Sequence, residues 1–334
     1  MKTLFPYLFV LITTIAIAQD ENFVGQTRFM QKINPSYLGF NSLNRVGVLY
    51  NTLRVGSSQT IDNKYLFGAL SFDERNFSLG VDFNSSRIDR PGFQQNKSNF
   101  HYIYKVQINN RLFFLPAISL GVGNVKYNLS TLVFEDQLDQ ASGFINSETI
   151  DPTGAILQNV NYFDIGASFM IHDNNFLLGF SLKHLNRPNV SYNQDLIEPK
   201  PIRYTLNGAY EFNLNPYERS FLPKFSYLLA YSSITQINTS TYLYFSEEAQ
   251  FGEFSIGISQ QISNVRSFNL NNIGLLVGLS LENFDFGVLY NFPVRDLAKV
   301  FSPSTFELYL TFDFSKFRRN RRGLFKRLQT DNYY

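Results

Sequence analysis

The sequence of 334 residues contains no cysteine and no tryptophan, and it has few charged residues. Without cysteine the chain can form no disulfide, no thiol nucleophile and no cysteine-ligated metal site. Charged residues make up 17% of the chain, below the roughly one quarter that is usual for soluble domains. Beyond the N-terminus, no uninterrupted apolar run reaches the ~18 residues that a membrane-spanning helix requires. These absences argue against a disulfide-rich domain and against a helical membrane protein.

Aromatic residues, by contrast, are abundant. The chain has 35 Phe and 20 Tyr, yet its mean hydropathy is only −0.15. This combination suits a membrane β-barrel, in which only alternate residues of each strand face lipid. A chain of this length holds either two globular domains or one large barrel, so a soluble β-sandwich remains the alternative at this point.

The first 18 residues have the pattern of an export signal. Lys2 supplies a positive charge, residues 4–17 form a short apolar stretch, and Ala16-Ile17-Ala18 is an A-x-A cleavage site. We therefore predict that residues 1–18 are a signal peptide that is removed before Gln19.

Alternate residues of the last strand-like segment differ in polarity. The even positions from Phe306 to Phe314 are all apolar, whereas the odd positions from Thr305 to Asp313 all carry a polar group. Because successive side chains of a strand point to opposite faces, the segment has one apolar and one polar face. About fourteen such segments are bounded by turn residues: 44–54, 65–72, 77–86, 99–109, 111–128, 161–172, 175–184, 202–213, 224–233, 239–246, 253–262, 271–282, 283–292 and 304–314.

The connections between these segments alternate in length. Those after segments two, four, six and twelve are very short, whereas those after segments one, three, five, seven and thirteen are longer, with residues 214–223 as an exception. Outer-membrane barrels have short periplasmic turns and long extracellular loops, which a sandwich has no reason to show. We therefore predict an all-β antiparallel transmembrane barrel over residues 44–314, with about fourteen strands and both ends in the periplasm.

Catalytic chemistry finds little support in the sequence. The three histidines, His101, His172 and His184, fall at different levels of the predicted barrel, and no G-x-S-x-G motif is present. We predict no catalytic, metal or cofactor-binding residue, and no enzyme activity. The predicted inward charges carry both signs, so salt bridges within the lumen are favoured over a solute path: Lys105, Asp164, Arg203, Glu211, Glu253, Glu282, Asp285, Glu307 and Asp313.

Two segments flank the predicted barrel. Residues 19–43 are predicted to be a periplasmic lead-in or a plug, and residues 315–334 a basic periplasmic tail. The tail would bind anionic lipid head groups, dock on an acidic periplasmic protein, or be a solvated extension. The net charge of +2 and the exported location argue against nucleic acid as a partner. The basic residues that would dock are Arg318, Arg319, Arg321, Arg322, Lys326 and Arg327.

Two short motifs carry a family resemblance. Asn34-Pro35-Ser36-Tyr37-Leu38-Gly39 resembles the N-P-A-Y-A-G signature that opens the PorP/SprF family of Bacteroidetes outer-membrane proteins, with serine and leucine in place of the two alanines. The stretch from Gly179 to Pro188 resembles the family's G-x-S-x-x-H-L-x-x-P pattern. The matched positions that we take as site residues are Asn34, Pro35, Tyr37, Gly39, His184 and Pro188.

The resemblance implies a component of the type IX secretion system that supports secretion or surface attachment of a large adhesin, and so gliding or surface-protein display. The implied partners are outer-membrane lipid, an adhesin with a C-terminal sorting domain, and a periplasmic secretion-system protein or one linked to peptidoglycan. The alternative is a diffusion channel for small solutes. A secretion partner should have an occluded lumen, whereas a channel should conduct.

Overall fold

A computed structural model describes most of the chain between Phe23 and Phe314. The described residues are 23–42, 44–55, 59–89, 92–127, 159–191, 197–217, 221–223, 226–264, 268–281, 283–295 and 303–314. The predicted signal peptide, the predicted basic tail with its six docking residues, and nearly all of the loop predicted over residues 129–159 lie outside this part of the chain.

Fourteen antiparallel strands form one sheet that closes on itself. Each strand pairs with the next along the chain, and β1 pairs with β14 with Arg45 opposite Asp313. Two further residues, Val106–Gln107, continue β4 along β5. The prediction of a closed barrel of about fourteen strands is confirmed. The strands are β1 Arg45–Val55, β2 Gln59–Phe72, β3 Phe77–Ile88, β4 Phe93–Tyr104, β5 Phe113–Tyr127, β6 Asn159–His172, β7 Phe176–Lys183, β8 Arg203–Asn213, β9 Ser226–Ile237, β10 Ser240–Phe251, β11 Phe254–Asn264, β12 Phe268–Leu281, β13 Phe284–Pro293 and β14 Thr305–Asp313.

The alternation of polarity matches the two faces of the wall. In β14, Thr305, Glu307 and Tyr309 are buried inside the barrel, whereas Leu308 and Leu310 on the outer face are 48% and 42% exposed. Exposed large apolar side chains occur on the outer face of every strand, a surface that a soluble protein does not present to water. In the described residues, no helix is both long and apolar enough to cross a membrane.

The two rims of the barrel differ in their connections. Because Arg45 and Asp313 are paired, the barrel begins and ends at the same edge, here called the terminal rim, and the opposite edge is the far rim. The turns after β2, β6 and β12 at the terminal rim are short, whereas at the far rim β5 ends at Tyr127 and β6 begins only at Asn159, and β7 ends at Lys183 and β8 begins only at Arg203. Asn76 in the turn after β2 has a φ of 54°, a left-handed conformation that asparagine tolerates.

Two connections at the far rim are shorter than the sequence predicts. β2 begins at Gln59 rather than at residue 65, and β4 begins at Phe93 rather than at residue 99, so only residues 56–58 and 89–92 join these hairpins. The expectation of longer loops after β1 and β3 was therefore wrong. The outer faces of residues 59–64 and 93–98 carry polar side chains only, so the apolar pattern that marks a lipid-facing strand is missing there.

Residues 23–42, here called the insert, lie inside the barrel. They contain α1, a single turn over Met30–Ile33, followed by a 3-10 helix over Pro35–Ser42. Nearly all their described side chains are buried, and Phe23, Phe29, Met30 and Phe40 are at most 1% exposed. An eight-stranded barrel is just wide enough for its own side chains to fill, so a barrel of fourteen strands leaves space that water or another segment must occupy.

The outer face yields a stability prediction. Replacing Leu308 with arginine should lower the free energy of unfolding in lipid vesicles by about 2–4 kcal/mol, because a cation near the midplane loses its hydration. The matched control Phe314→Arg, at the terminal rim, should lower it by only ~0–1 kcal/mol. Urea titrations of both variants provide the measurement, and equal losses would contradict a membrane-spanning orientation.

Candidate functional site: the lumen and its N-terminal insert

A buried ion-pair network fixes the middle of the insert. Arg28 binds both oxygens of the Asp285 carboxylate on β13, at 2.8 and 2.9 Å from Nη1, and its Nη2 contacts Glu248 on β10. The side chains of Arg28 and Glu248 are each 1% exposed. Removing one partner of such a buried pair leaves an uncompensated charge in a poorly hydrated space, which typically destabilises the folded state by about 3–5 kcal/mol. The insert therefore cannot leave this position without exposing or neutralising these charges.

A second carboxylate accepts hydrogen bonds from the start of the insert. The backbone N–H groups of Val24 and Gly25 donate to Glu307 of β14 at 2.5 and 2.8 Å, and the Asn51 side chain donates to the same carboxylate at 2.6 Å. Glu307 has no exposed surface. Backbone donors that would otherwise be buried without water are thus satisfied by a wall residue.

Aromatic rings hold the insert against the same part of the wall, on β14, and against nearby β2. Phe29 makes edge contacts with Tyr65 and Phe67 of β2 and with Tyr309 of β14, with ring centroids 5.7–6.0 Å apart. Edge-to-face pairs of this kind add about 0.5–1.5 kcal/mol each beyond the burial of their area. Apolar packing therefore supplements the ion pairs in seating the insert.

The Asn34–Gly39 motif forms the turn that crosses the lumen. The Asn34 side chain accepts from the Ser36 N–H at 3.0 Å and donates to the Phe169 carbonyl at 3.0 Å and to Asn207 at 3.2 Å. Tyr37 stacks on Phe40 with ring centroids 4.9 Å apart. Asn34 therefore both shapes its own turn and ties the insert to β6 and β8.

Two further motif positions face neighbouring groups closely. Pro35 lines a polar cavity between the insert and β2–β7. A Cβ atom added at Gly39 would lie 2.7 Å from Cγ2 of Ile103, which is closer than real Cβ atoms approach other atoms. Glycine at position 39 therefore allows the insert to lie against β4.

The second motif lies beside the first. The Gly179 backbone of β7 is so close to the Asn34 amide that a side chain at 179 would collide with it. Ser181 donates its hydroxyl to the Ile33 carbonyl at 2.9 Å, and Lys183 donates to the Lys32 carbonyl at 2.6 Å. The two segments, far apart in sequence, thus form one contact inside the lumen.

The end of the second motif covers β6 near the far rim. His184 has a φ of 61°, and its Nδ1 lies 2.9 Å from Asp164 of β6. The Asn186 side chain then bonds the backbone of β6 beyond the point where β7 stops, accepting from the Ile165 N–H and donating to the Phe163 carbonyl. Pro188 is buried, and its carbonyl accepts from the Lys200 N–H at 2.9 Å. The motif therefore ends β7 and satisfies the backbone groups of β6 that β7 no longer pairs with.

His101 bridges three strands. Its Nε2 lies 2.7 Å from Asp82 of β3, and its Nδ1 lies 2.7 Å from the Ser119 hydroxyl of β5. In serine hydrolases the ring is reversed, with Nδ1 on the carboxylate and Nε2 on the serine. His101 is buried on the inward face, and His172 at the end of β6 stacks on Phe113. In the part of the chain that the structure describes, no cluster of acids and histidines could hold a metal ion.

The predicted inward charges are distributed as follows. Asp164, Glu211 and Glu307 are buried, whereas Lys105, Arg203, Asp285 and Asp313 are partly exposed. Glu253 is exposed in the turn after β10, so its predicted inward position was wrong, and Glu282 lies outside the described residues. The alternation of β10 ends at Phe251, because Gly252 and Glu253 form the turn to β11.

Sequence-based reasoning did not identify two residues that hold the insert, Arg28 and Glu248. The predicted tenth strand ends at residue 246, whereas β10 continues to Phe251. Glu248 keeps the inward parity of Tyr244 and Ser246, and that parity is the signal that would have identified it. Arg28 lies before the first strand, where no periodicity indicates its surroundings.

Comparison with known proteins identifies the family. The sequence model of the family described as "Type IX secretion system membrane protein PorP/SprF" matches residues 18–312. The chain belongs to the PorP/SprF family. The family prediction made from the two motifs is thereby confirmed, and the match includes both the insert and the barrel of this PorP/SprF chain. Together with the barrel fold, it places this PorP/SprF chain in the outer membrane. No curated protein sequence matches the chain.

Solved structures with a similar fold are outer-membrane barrels of low sequence identity. A mutant of the TodX monoaromatic hydrocarbon channel is 10% identical with a TM-score of 0.48, covering 84% of this chain and 92% of that one. Omp33 of Acinetobacter baumannii is 9% identical with a TM-score of 0.44, covering 82% and 100%. The translocator domain of NalP from Neisseria meningitidis is 7% identical with a TM-score of 0.37, covering 86% and 94%. At such identities these structures carry no functional argument for this PorP/SprF chain.

The ion-pair network predicts how the insert responds to loss of Arg28. Arg28→Met should destabilise the seated insert by about 3–5 kcal/mol, because Glu248 and Asp285 lose their cation. Limited proteolysis of the folded barrel, followed by mass spectrometry, should detect new cleavage within residues 23–42. Arg54→Met, on the outer face of β1, is the matched control and should leave the insert protected. Protection of the insert in Arg28→Met would contradict the role of the network.

Proposed function

We propose that the chain is a non-enzymatic component of the type IX secretion system that supports secretion or surface attachment of a large adhesin. Membership of the PorP/SprF family supports the secretion-system role. The observation that carries the finer proposal is the lumen, which is crossed by an insert bound to the wall on all sides. A protein of this design acts through its surfaces rather than as an open conduit.

The contacts of the insert support an occluded lumen. Besides β13 and β14, the insert bonds to β6 through the Ser36 and Ser168 hydroxyls, 2.8 Å apart, and to β9 through Gln26 and Ser233 at 2.7 Å. Within the wall, Asp164 pairs with Lys97 at 2.5 Å. A mixed set of paired charges neutralises itself and does not form the ring of like charges found in selective pores.

The proposed partners approach from the two rims. The far rim, with its long connections, would face the cell exterior and receive the adhesin with its C-terminal sorting domain. The terminal rim would face the periplasm, where the basic residues 318–327 would dock on a secretion-system protein or one linked to peptidoglycan. Rigid scaffolds commonly present binding residues on such connections. The predicted cleavage of a signal peptide before Gln19 belongs to the same proposal.

The function is tested by deleting the gene and comparing the secreted and surface proteomes. The expected result is loss of one large adhesin with unchanged uptake of small solutes. Complementation with the chain truncated after Phe314 should restore barrel insertion but not recovery of the periplasmic partner in pull-downs. A defect in solute uptake with an unchanged surface proteome would overturn the proposal in favour of the channel alternative.

A disulfide lock separates the two readings more sharply. Because the chain has no cysteine, Ser36→Cys/Ser168→Cys introduces one defined pair whose side chains face each other. The oxidised variant should restore adhesin display as well as the wild type, since the proposed role does not require the insert to move. The single variant Ser36→Cys is the matched control. The proposal would be contradicted if the wild type conducted steadily in planar bilayers and the oxidised variant did not.

A further inference from the structure

The outer face near the far rim is not uniform around the barrel. On each of β1–β6, at least two outward-facing polar side chains follow the last apolar one toward that rim. On β8, β13 and β14, by contrast, the apolar face continues almost to the end of the strand, at Tyr204, Phe292 and Phe306. We call the polar surface on β1–β6 the polar band, which consists of the outward-facing residues in 52–54, 62–64, 85–87, 94–98, 124–126 and 159–161.

The polar band begins where the lipid-facing surface ends. Leu66, Val122 and Phe163 are the last apolar residues on the outer faces of β2, β5 and β6, and all three are exposed. Alternate residues of a strand are ~7 Å apart and barrel strands are tilted by ~35–45°, so the second polar position stands ~10 Å beyond the apolar surface. A phospholipid head-group region is only ~5–7 Å thick on each side of a bilayer. The outer part of the band therefore matches a larger head group.

Three exposed cations lie close together on the polar band. Lys64 of β2 is opposite Ser85 of β3, so it lies diagonally across from Arg87 at a distance of ~7–8 Å. Gln94 of β4 is opposite both Arg87 and Lys126 of β5, so those two cations are separated by two strand spacings, or ~10 Å. Cations at these separations are able to contact one multiply charged anionic group together.

The acids near these cations are already bound or are exposed. Asp62 is opposite Arg87 and accepts a hydrogen bond from the Tyr50 hydroxyl at 2.9 Å. Asp89, just after β3, lies 3.4 Å from Arg87, and the two side chains are 48% and 69% exposed. Ion pairs that are this exposed are weak, so a phosphate would compete with Asp89 for Arg87. Together with exposed Arg54, the cations of this surface outnumber its acids among the described residues.

Side-chain amides occupy the part of the polar band on β4, β5 and β6. Asn96, Asn124 and Asn161 are opposite one another on these three strands. The Asn124 amide donates to Asn161 at 2.7 Å and also contacts Asn159. Each side-chain amide has two donor hydrogens and an acceptor oxygen, more than these contacts use. The amides are therefore suited to sugar hydroxyls, which both donate and accept hydrogen bonds.

We propose that the polar band binds the head group of a phosphorylated glycolipid in the leaflet at the far rim. The cations would bind phosphate, the amides would bind sugar hydroxyls, and the apolar surface next to the band would contact the acyl chains. A phospholipid head group would reach only the first polar position of each strand, whereas a sugar would reach the second. The proposal rests on the proposed function only in assigning the far rim to the outer leaflet.

The test uses the full chain folded in an uncharged detergent, with bound lipid measured by native mass spectrometry. The probes are lipid A with two phosphates, the same lipid without phosphates, and phosphatidylglycerol. Diphosphorylated lipid A should bind at least tenfold more tightly than either of the others, and its affinity should fall as salt is added, because the cations are exposed. Equal binding of the dephosphorylated lipid would overturn the role of the cations, and equal binding of phosphatidylglycerol would overturn the preference for a glycolipid.

A matched pair of variants connects the binding to the polar band. Arg87→Gln/Lys126→Gln should raise the dissociation constant of diphosphorylated lipid A at least tenfold. Arg75→Gln/Arg111→Gln removes the same charge from exposed positions at the terminal rim and should leave that constant unchanged. If the first variant fails to fold, Lys64→Gln provides the comparison with a severalfold increase. Equal losses in the band and control variants would contradict the assignment.

The amides are tested separately from the cations. Asn96→Ala/Asn124→Ala should weaken the binding of diphosphorylated lipid A severalfold, because hydrogen bonds to its sugars are lost, and should leave the binding of phosphatidylglycerol unchanged. Equal effects on both lipids would contradict sugar recognition by the band. Because these measurements use the purified chain, failure of the lipid proposal is distinguishable from failure of the secretion role, which the gene deletion tests.

Discussion

The structure depends on the pairing of Arg28 with Glu248 and Asp285 inside the barrel. A fourteen-stranded wall encloses more space than its side chains fill, and the insert fills it only if every polar group that it carries finds a partner there. Arg28 brings a charge into a space with little water, and two wall carboxylates compensate it. The backbone bonds to Glu307 and the packing of Phe29 then fix the remainder of the first half of the insert.

The two sequence motifs acquire a shared physical meaning from this arrangement. Asn34 turns the insert and reaches β8, while Gly179 leaves room for the Asn34 amide and Ser181 bonds the adjacent carbonyl. His184 then uses a left-handed backbone conformation to direct its ring at Asp164 inside the lumen. The motifs thus describe one contact between an internal segment and the strand that receives it, together with the closure of the wall above that strand.

The barrel could be predicted from the sequence because lipid imposes a period of two on every strand. The outer face of β14 from Phe306 to Leu310 shows this period without interruption, and so does β6. The extensions of β2 and β4 could not be predicted, since their outer faces are polar and the alternation of apolar and polar residues disappears. The position of the insert is set by contacts between residues distant in sequence, such as Arg28 and Glu248. No local sequence pattern indicates which residues make these contacts.

Hydrogen–deuterium exchange of the start of the insert tests the central claim most directly. The amides of Val24 and Gly25 donate to the buried Glu307 carboxylate, so in the folded barrel they should exchange as slowly as the amides of β14. Mass spectrometry of a peptide that covers residues 23–29 provides the measurement. Exchange of these amides within seconds, while those of β14 remain protected, would contradict a lumen that the insert closes.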